Sequence, residues 1–427
     1  MDALTKDRAI RIAVACGAIA VIAIASLKMI RSPYAKGDFE AFLHAARSIA
    51  AGVDIYAAPS RPLAEGGVYY LYLPLLAVLL LPLTVLPVEA TIVIWTTLNA
   101  LIVWWIVRAF LSLISGRDAS DLPWTVTLVP VLLTARYLLH HFYYGQANIL
   151  VMAFIVLGLK LAASERQFSG GIFVGLAAVI KIVAVPFFVW LGSALRFREI
   201  AGVLLGVVLG ALVVPGVILG FGQNLEYVEH WVKSIAFSPD LATQKVPLGV
   251  NVSIQALINR LFDNVPAFTY DGSPVRLTLA ELPPRAIAAM QRAFEVLVLS
   301  SIVAYRFAFQ GLTQLIANWG GVAFTFVAIT LFAPTAQKHY FVFLLPAYCY
   351  VVYLRSAGIR DKWFKWLVVL SFVLGGAKFD GIFGDLVDGL FFALSLSSVG
   401  AILLGVAIFR AAMISHKGVA SELLVSE

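Results

Sequence analysis

A train of apolar runs, each close to the length that crosses a bilayer, constrains this chain more than any other feature. A transmembrane helix needs about 20 predominantly apolar residues. Residues 9–30, 91–113, 170–195, 200–221 and 390–409 read this way, with shorter or interrupted runs at 73–87, 123–139, 147–163, 293–309, 316–333, 340–354 and 366–377. About twelve spans are expected. Composition removes the alternative of a soluble core. The 427 residues are 61% hydrophobic and 13% charged, with a mean hydropathy of +0.93, against about a quarter charged in soluble domains. The fold expected is all-α, a polytopic transmembrane helical bundle forming one integral-membrane domain over residues 1–427.

Charge orients the bundle. Basic clusters lie at Lys6, Arg8 and Arg11, at Arg196 and Arg198, at Arg355, Arg360, Lys362 and Lys365, and at Arg410 and Lys417. With twelve spans all four fall on one side, which the excess of Lys and Arg in cytoplasmic loops makes the inner side. Both termini are then cytoplasmic. Two sizeable loops, 31–72 and 222–292, face outward, as does the acidic loop 378–389 with Asp380, Asp385 and Asp388, read as a solvated turn. The basic start followed by an apolar run has the charge order of a signal peptide. The run is too long for one, however, and no small-residue cleavage pattern follows, so it reads as an uncleaved first helix. Cys16 and Cys349 both sit in apolar runs and imply neither a disulfide nor a cysteine metal site. The net charge of +7 needs no nucleic acid to explain it.

Chemistry, on this topology, belongs at the outer face. The stretch "GDFEAF" (37–42) opens the first outer loop. Phe39, Phe42, Ala46 and Ile49 recur at helical spacing, giving an apolar stripe for a helix lying on the membrane, and Gly52 stands where a C-cap glycine belongs. Asp38 reads locally as the helix cap, with Glu40 favouring the positive end of the helix. Both carboxylates are also candidates for catalysis. Lys181 lies in an otherwise apolar run, a costly position unless it faces a polar cavity, a ligand phosphate or an internal carboxylate. Arg136, His140 and His141 bracket the end of the 123–139 run and fall on the cytoplasmic side, as headgroup contacts. Gln146 and Asn148 can bond a sugar or join helices. Asn251, Ser253, Gln255 and Arg260 can line a groove in the second outer loop or simply be solvated. Trp95, Trp104, Trp105, Trp363 and Trp366 read as interfacial anchors.

Five stretches taken in order resemble glycosyltransferase family 87. "GDFEAFLHAARSIAAGVDIYA" (37–57), followed by "YLPLLAVLLLPLTVLP" (72–87), is similar to the family's start, through Asp38-Phe39, Ala45-Ala46-Arg47, Gly52 and Ile55-Tyr56. "GQANILVMAFIVLGL" (145–159) looks like its Gly-Gln-x-Asn helix start. "GGIFVGLAAVIKIVAVP" (170–186) looks like its Gly-Leu-Ala-Ala-x-x-Lys element, although the family commonly has the proline a residue or two sooner. "GVNVSIQALINRL" (249–261) resembles its Asn-x-Ser…Arg loop. "APTAQKHYFVFLLP" (333–346) resembles its Ser-Pro-x-x-Trp-x-His segment, with Ala333 for Ser and Gln337 for Trp.

The resemblance implies a GT-C fold with juxtamembrane helices in the outer loops, and a bacterial inner-membrane enzyme. It would transfer a hexose, mannose by family likeness, from a polyprenyl-phosphate donor to a glycolipid or glycan acceptor, with inversion. The family's base maps onto Asp38. His339 and Lys181 are the candidates to steady the departing phosphate, with Gln146, Asn148, Asn251 and Arg260 as further substrate contacts. No cofactor is expected, and no ligand cluster in the sequence points to a divalent metal. A transporter or flippase of lipid-linked sugars is the rival reading, since composition and topology permit it, although matching broken halves are absent by eye.

Overall fold

The computed structural model describes residues 3–31, 37–62, 67–236, 250–377 and 384–425. Asp380 lies outside them. In chain order the helices are α1 (Ala3–Arg31), α2 (Gly37–Ala50), α3 (Pro74–Leu80), α4 (Val88–Ser115), α5 (Trp124–Leu133), α6 (Ala135–Tyr144), α7 (Asn148–Ala163), α8 (Gln167–Ile180), α9 (Val185–Ser193), α10 (Phe197–Val208), α11 (Val214–Leu219) and α12 (Phe221–Trp231). They continue as α13 (Ile254–Phe262), α14 (Pro284–Phe309), α15 (Gly320–Phe332), α16 (Leu345–Ser356), α17 (Lys362–Gly375), α18 (Asp385–Ala393) and α19 (Leu396–Val425). The all-α, polytopic fold is as the apolar runs require. A single two-stranded hairpin among the described residues, β1 (Phe268–Tyr270) with β2 (Ser273–Val275), turns on Asp271 and Gly272, both at positive φ. Asp-Gly between short strands is a signature of such a turn.

The spans are less regular than hydropathy indicates. Among the described residues, helices long and apolar enough to cross a membrane are Val88–Ser115, Phe197–Leu219, Pro284–Phe309, Leu315–Phe332 and Leu396–His416, with α6 and α7 as a sixth, bent pair. The run expected at 170–195 is instead two short helices. Lys181 is extended (φ −155°, ψ 124°), and Pro186, at the second residue of α9, has no N–H to continue the ladder. The run at 123–139 breaks at Thr134, after Pro130. Apolar helices broken in this way are tolerated at membrane depth where they line protein rather than lipid. Lipid contact falls elsewhere: Leu101 is 61% exposed, Leu204 64% and Val296 62%. Such faces would aggregate in water.

Two stripes of small residues fix the tightest helix pair. Gly171 and Gly175 on α8 meet Gly202 and Gly206 on α10. A Cβ on Gly171 would lie 2.0 Å from the Glu199 carbonyl oxygen, and one on Gly202 would lie 2.0 Å from that of Phe168. Backbones approach this closely only where both faces lack side chains. The pairing anchors α8, and the end of α8 sets down Lys181.

The bundle has distinguishable ends. Arg410 on α19 ion-pairs with Asp361, just before α17, at 2.9 Å, which brings two of the basic clusters together. Arg355 closes α16, whereas the 3-10 turn Lys338–Leu344 leads into its start. Over 12 residues at about 1.5 Å each, the basic end and that turn stand roughly 18 Å apart.

Candidate active site

The site is built on the turn before α16, the break after α8, the start of α7 and the start of α2. The α2 helix forms because Phe39, Phe42, Ala45 and Ala46 bury one face while its first turn carries Asp38 and Glu40. It ends as its glycine foretells. Gly52 takes φ +67°, and the Val53 amide donates to the Ser48 carbonyl at 2.8 Å, the wide bond of a Schellman end. Helix α2 is pinned by Phe39, which stacks on Trp95 at 5.4 Å, while the Trp95 indole donates to the Gly145 carbonyl at 2.9 Å. A Cβ on Gly145 would lie 2.5 Å from Cβ of Phe39. Gly145 also holds φ +60°, and there the chain turns 118° from α6 into α7.

That bend corrects the placement of His140 and His141. The hydropathy count put them at the basic end. Instead His140 stacks on His339 at 5.5 Å and on Tyr144 at 4.6 Å, and a Cβ on Gly37 would meet Tyr144 at 2.9 Å. They therefore share the end that holds Asp38. Hydropathy missed this because α6 is short and because it cannot register the 118° bend between α6 and α7.

Asn148, Lys181 and His339 meet directly. The Lys181 ammonium donates to Asn148 Oδ1 at 2.7 Å, and Asn148 Nδ2 donates to the His339 carbonyl at 2.9 Å. The same ammonium sits 4.1 Å from the ring centre of Tyr340 and 5.7 Å from that of Tyr72, within cation–π reach. Asp38, half-buried, completes the group. Burial pushes its carboxyl up to about 6, and the Lys181 ammonium pulls in the opposite direction. Burial raises the Tyr72 phenol too, with Asp38 and then Tyr340 adding to it. His339, on the turn between spans, is held well below its ordinary range by burial and then by Lys181, so it is a neutral imidazole. Its Nδ1 has no hydrogen-bond partner in the structure.

The other sequence candidates go elsewhere. Glu40 faces Arg61 at 3.5 Å. Gln146 is fully buried at the α6–α7 bend, with both ends of its amide lacking a hydrogen-bond partner among the described residues. Asn251 and Arg260 tie the chain to itself. Asn251 donates to the Pro334 carbonyl at 3.1 Å and accepts from the amides of Ser253 and Ala336, both at 3.0 Å. Arg260 donates to the carbonyls of Asn251, Phe392 and Ala393. Together they lash α13 and α18 to the segment before His339. Tyr72, Tyr340 and Tyr144 escaped sequence reasoning, and Trp95, expected as an interfacial anchor, is instead buried against Phe39. The signal for the first two was their place inside motif-bearing stretches, next to Leu73-Pro74 and His339. Among the described residues no three His, Cys, Asp or Glu side chains converge as metal ligands.

A carboxylate raised toward neutrality beside a fixed ammonium and a neutral imidazole is the equipment of a proton-abstracting site. Residues 70–311, more than half of the chain, match glycosyltransferase family 87. The chain belongs to this family. It is a membrane glycosyltransferase, and it acts on a sugar donor and an acceptor. The matched segment holds Gln146, Asn148, Lys181, Asn251 and Arg260, while His339 and Asp38 flank it, His339 joined through the Asn148 hydrogen bond and Asp38 through the charge of Lys181. No curated protein and no solved structure matches the chain.

Proposed function

We propose that this glycosyltransferase moves a hexose, mannose in the first instance, from a polyprenyl-phosphate donor to a hydroxyl of a glycolipid or glycan, with inversion. Asp38 is the base. Its carboxylate takes the proton of the acceptor hydroxyl as that oxygen bonds to the anomeric carbon. The bond from that carbon to the phosphate oxygen breaks, and polyprenyl phosphate leaves as an anion. Such a leaving group needs positive charge or hydrogen bonds rather than a general acid. Lys181 supplies charge, and neutral His339 can donate through a ring nitrogen. The observation that carries the reading is the joining of Asp38, Lys181, Asn148 and His339 from four separate parts of the chain.

Two of the basic clusters stand at the opposite end of α16 from this site. Excess Lys and Arg mark cytoplasmic loops, which supports a reaction at the outer face of a bacterial inner membrane with both termini inside. The test uses purified protein, polyprenyl-phosphate-mannose labelled in the sugar, and an acceptor glycolipid. Label is expected on the acceptor. Label crossing a vesicle bilayer while still on its lipid, with none on the acceptor, would make the protein a flippase.

A further inference from the structure

A second feature lies against the site without being part of it. A cavity of about 390 Å³ opens beside it, lined among the described residues by Lys28 of α1, Arg136, His140, Tyr143 and Tyr144 of α6, and Lys338 of the turn before α16. The volume falls in the range of small-molecule sites, about 300–1,000 Å³. Three cations from three separate elements converge there. Arg136 is buried, and its guanidinium is fixed by donation to the Gly375 carbonyl at 2.8 Å. The Lys28 ammonium rests over the Tyr143 ring, 4.2 Å from its centre, in the last turn of an apolar helix. That is the depth at which lipid headgroups lie and long basic side chains reach for them.

The cavity and the Asp38 site share walls. Tyr144 lines the cavity on one side and contacts Gly37, next to Asp38, on the other. His140 lines it and stacks on His339. We infer that this cavity seats the lipid-borne phosphate of the donor, held by Lys28, Arg136 and Lys338. The inference rests on the polyprenyl-phosphate reading above and assigns the charge differently. Lys181, whose charge acts on Asp38, tunes the base, while the cavity carries the phosphate. An inverting displacement needs base and leaving group on opposite sides of the sugar carbon. A shared wall between a carboxylate and a three-cation cavity meets that need.

The test is equilibrium binding to the full-length protein in detergent, with a fluorescent short-chain polyprenyl phosphate as probe and the matching polyprenol as control. The variant is Lys28→Gln with Lys338→Gln. Both lysines are at least partly exposed, and thermal melting checks that the variant is folded. Wild type is expected to prefer the phosphate over the alcohol, and the double variant to lose at least about tenfold of that preference. Wild-type preference retained in the double variant overturns the cavity assignment and leaves the donor reading standing. No preference for the phosphate in wild type itself overturns the donor reading. Equal competition by phosphatidylglycerol gives the cavity to bulk anionic lipid and overturns the proposal as well.

Discussion

At the scale of the residue, Asp38 works against the stability of its own fold. Its carboxyl ordinarily titrates near 3.8 and is pushed by burial to about 6. The folded state therefore holds that proton more tightly than the unfolded chain does. The stability this gives is complete below 3.8 and is lost as pH rises through 6. At neutral pH the ionised form costs up to about 3 kcal/mol. Asp38→Asn removes the cost. The variant is expected to melt at or above the wild-type temperature in detergent while turnover falls by at least about 100-fold; a lower melting temperature would make Asp38 a structural residue. Glu40, two residues on, is expected to behave differently. Its ion pair with Arg61 is partly exposed, so Glu40→Gln should cost under about 1 kcal/mol and keep most transfer activity in the same assays. Four of the residues singled out from sequence converge because their motifs are short and polar within apolar surroundings, where a polar side chain must have a purpose. Asn251 and Arg260 carried the same signal for another reason. A loop residue looks alike in sequence whether its partner is a substrate or a backbone carbonyl, and theirs are carbonyls.

Among the elements, the apolar runs located most helices but not their paths; α12 and α13 fall in the stretch expected as the second outer loop, and α18 starts in the expected acidic turn. Hydropathy counts methyl groups, and it cannot see that Lys181 is extended or that Gly145 turns the chain by 118°. Pro130, Gly145 and Pro186 were the visible warnings. The hairpin at Asp271 and Gly272 was legible as an Asp-Gly turn but short enough to be passed over. The α8–α10 contact was legible too, as two glycine pairs spaced by four residues. Gly171→Ala should destabilise the protein by about 1–3 kcal/mol, because the new methyl would meet the Glu199 carbonyl, which cannot rotate away. Gly222→Ala, with nothing within 4 Å, is the matched control and should melt like wild type. Equal melting of the two variants would remove close packing as the reason for the glycines.

Over the whole molecule, two basic clusters and the candidate site stand at opposite ends. Two basic clusters meet through Arg410 and Asp361, while Asp38, Lys181, His339 and the three-cation cavity gather at the start of α16. The positive-inside rule read the first of these from sequence. The second needed coordinates, because its members lie up to 311 positions apart, from Lys28 to His339. A single cysteine at Val53, which is 52% exposed beyond the end of α2, should react with a membrane-impermeant maleimide in intact cells. One at Arg198, beside the basic end, should react only after the cells are opened. The reverse pattern would turn the active site to the cytoplasm.

The central claim is that Asp38 is the base, held near its working pH by burial and Lys181. The most direct measurement is the single-turnover rate of sugar transfer from labelled polyprenyl-phosphate-mannose as a function of pH, for wild type and Asp38→Asn. The wild-type rate is expected to fall as pH drops through about 6, with Asp38→Asn at least about 100-fold slower and flat across that range. A wild-type limb at pH 6 that survives unchanged in Asp38→Asn, at a comparable rate, would contradict the account.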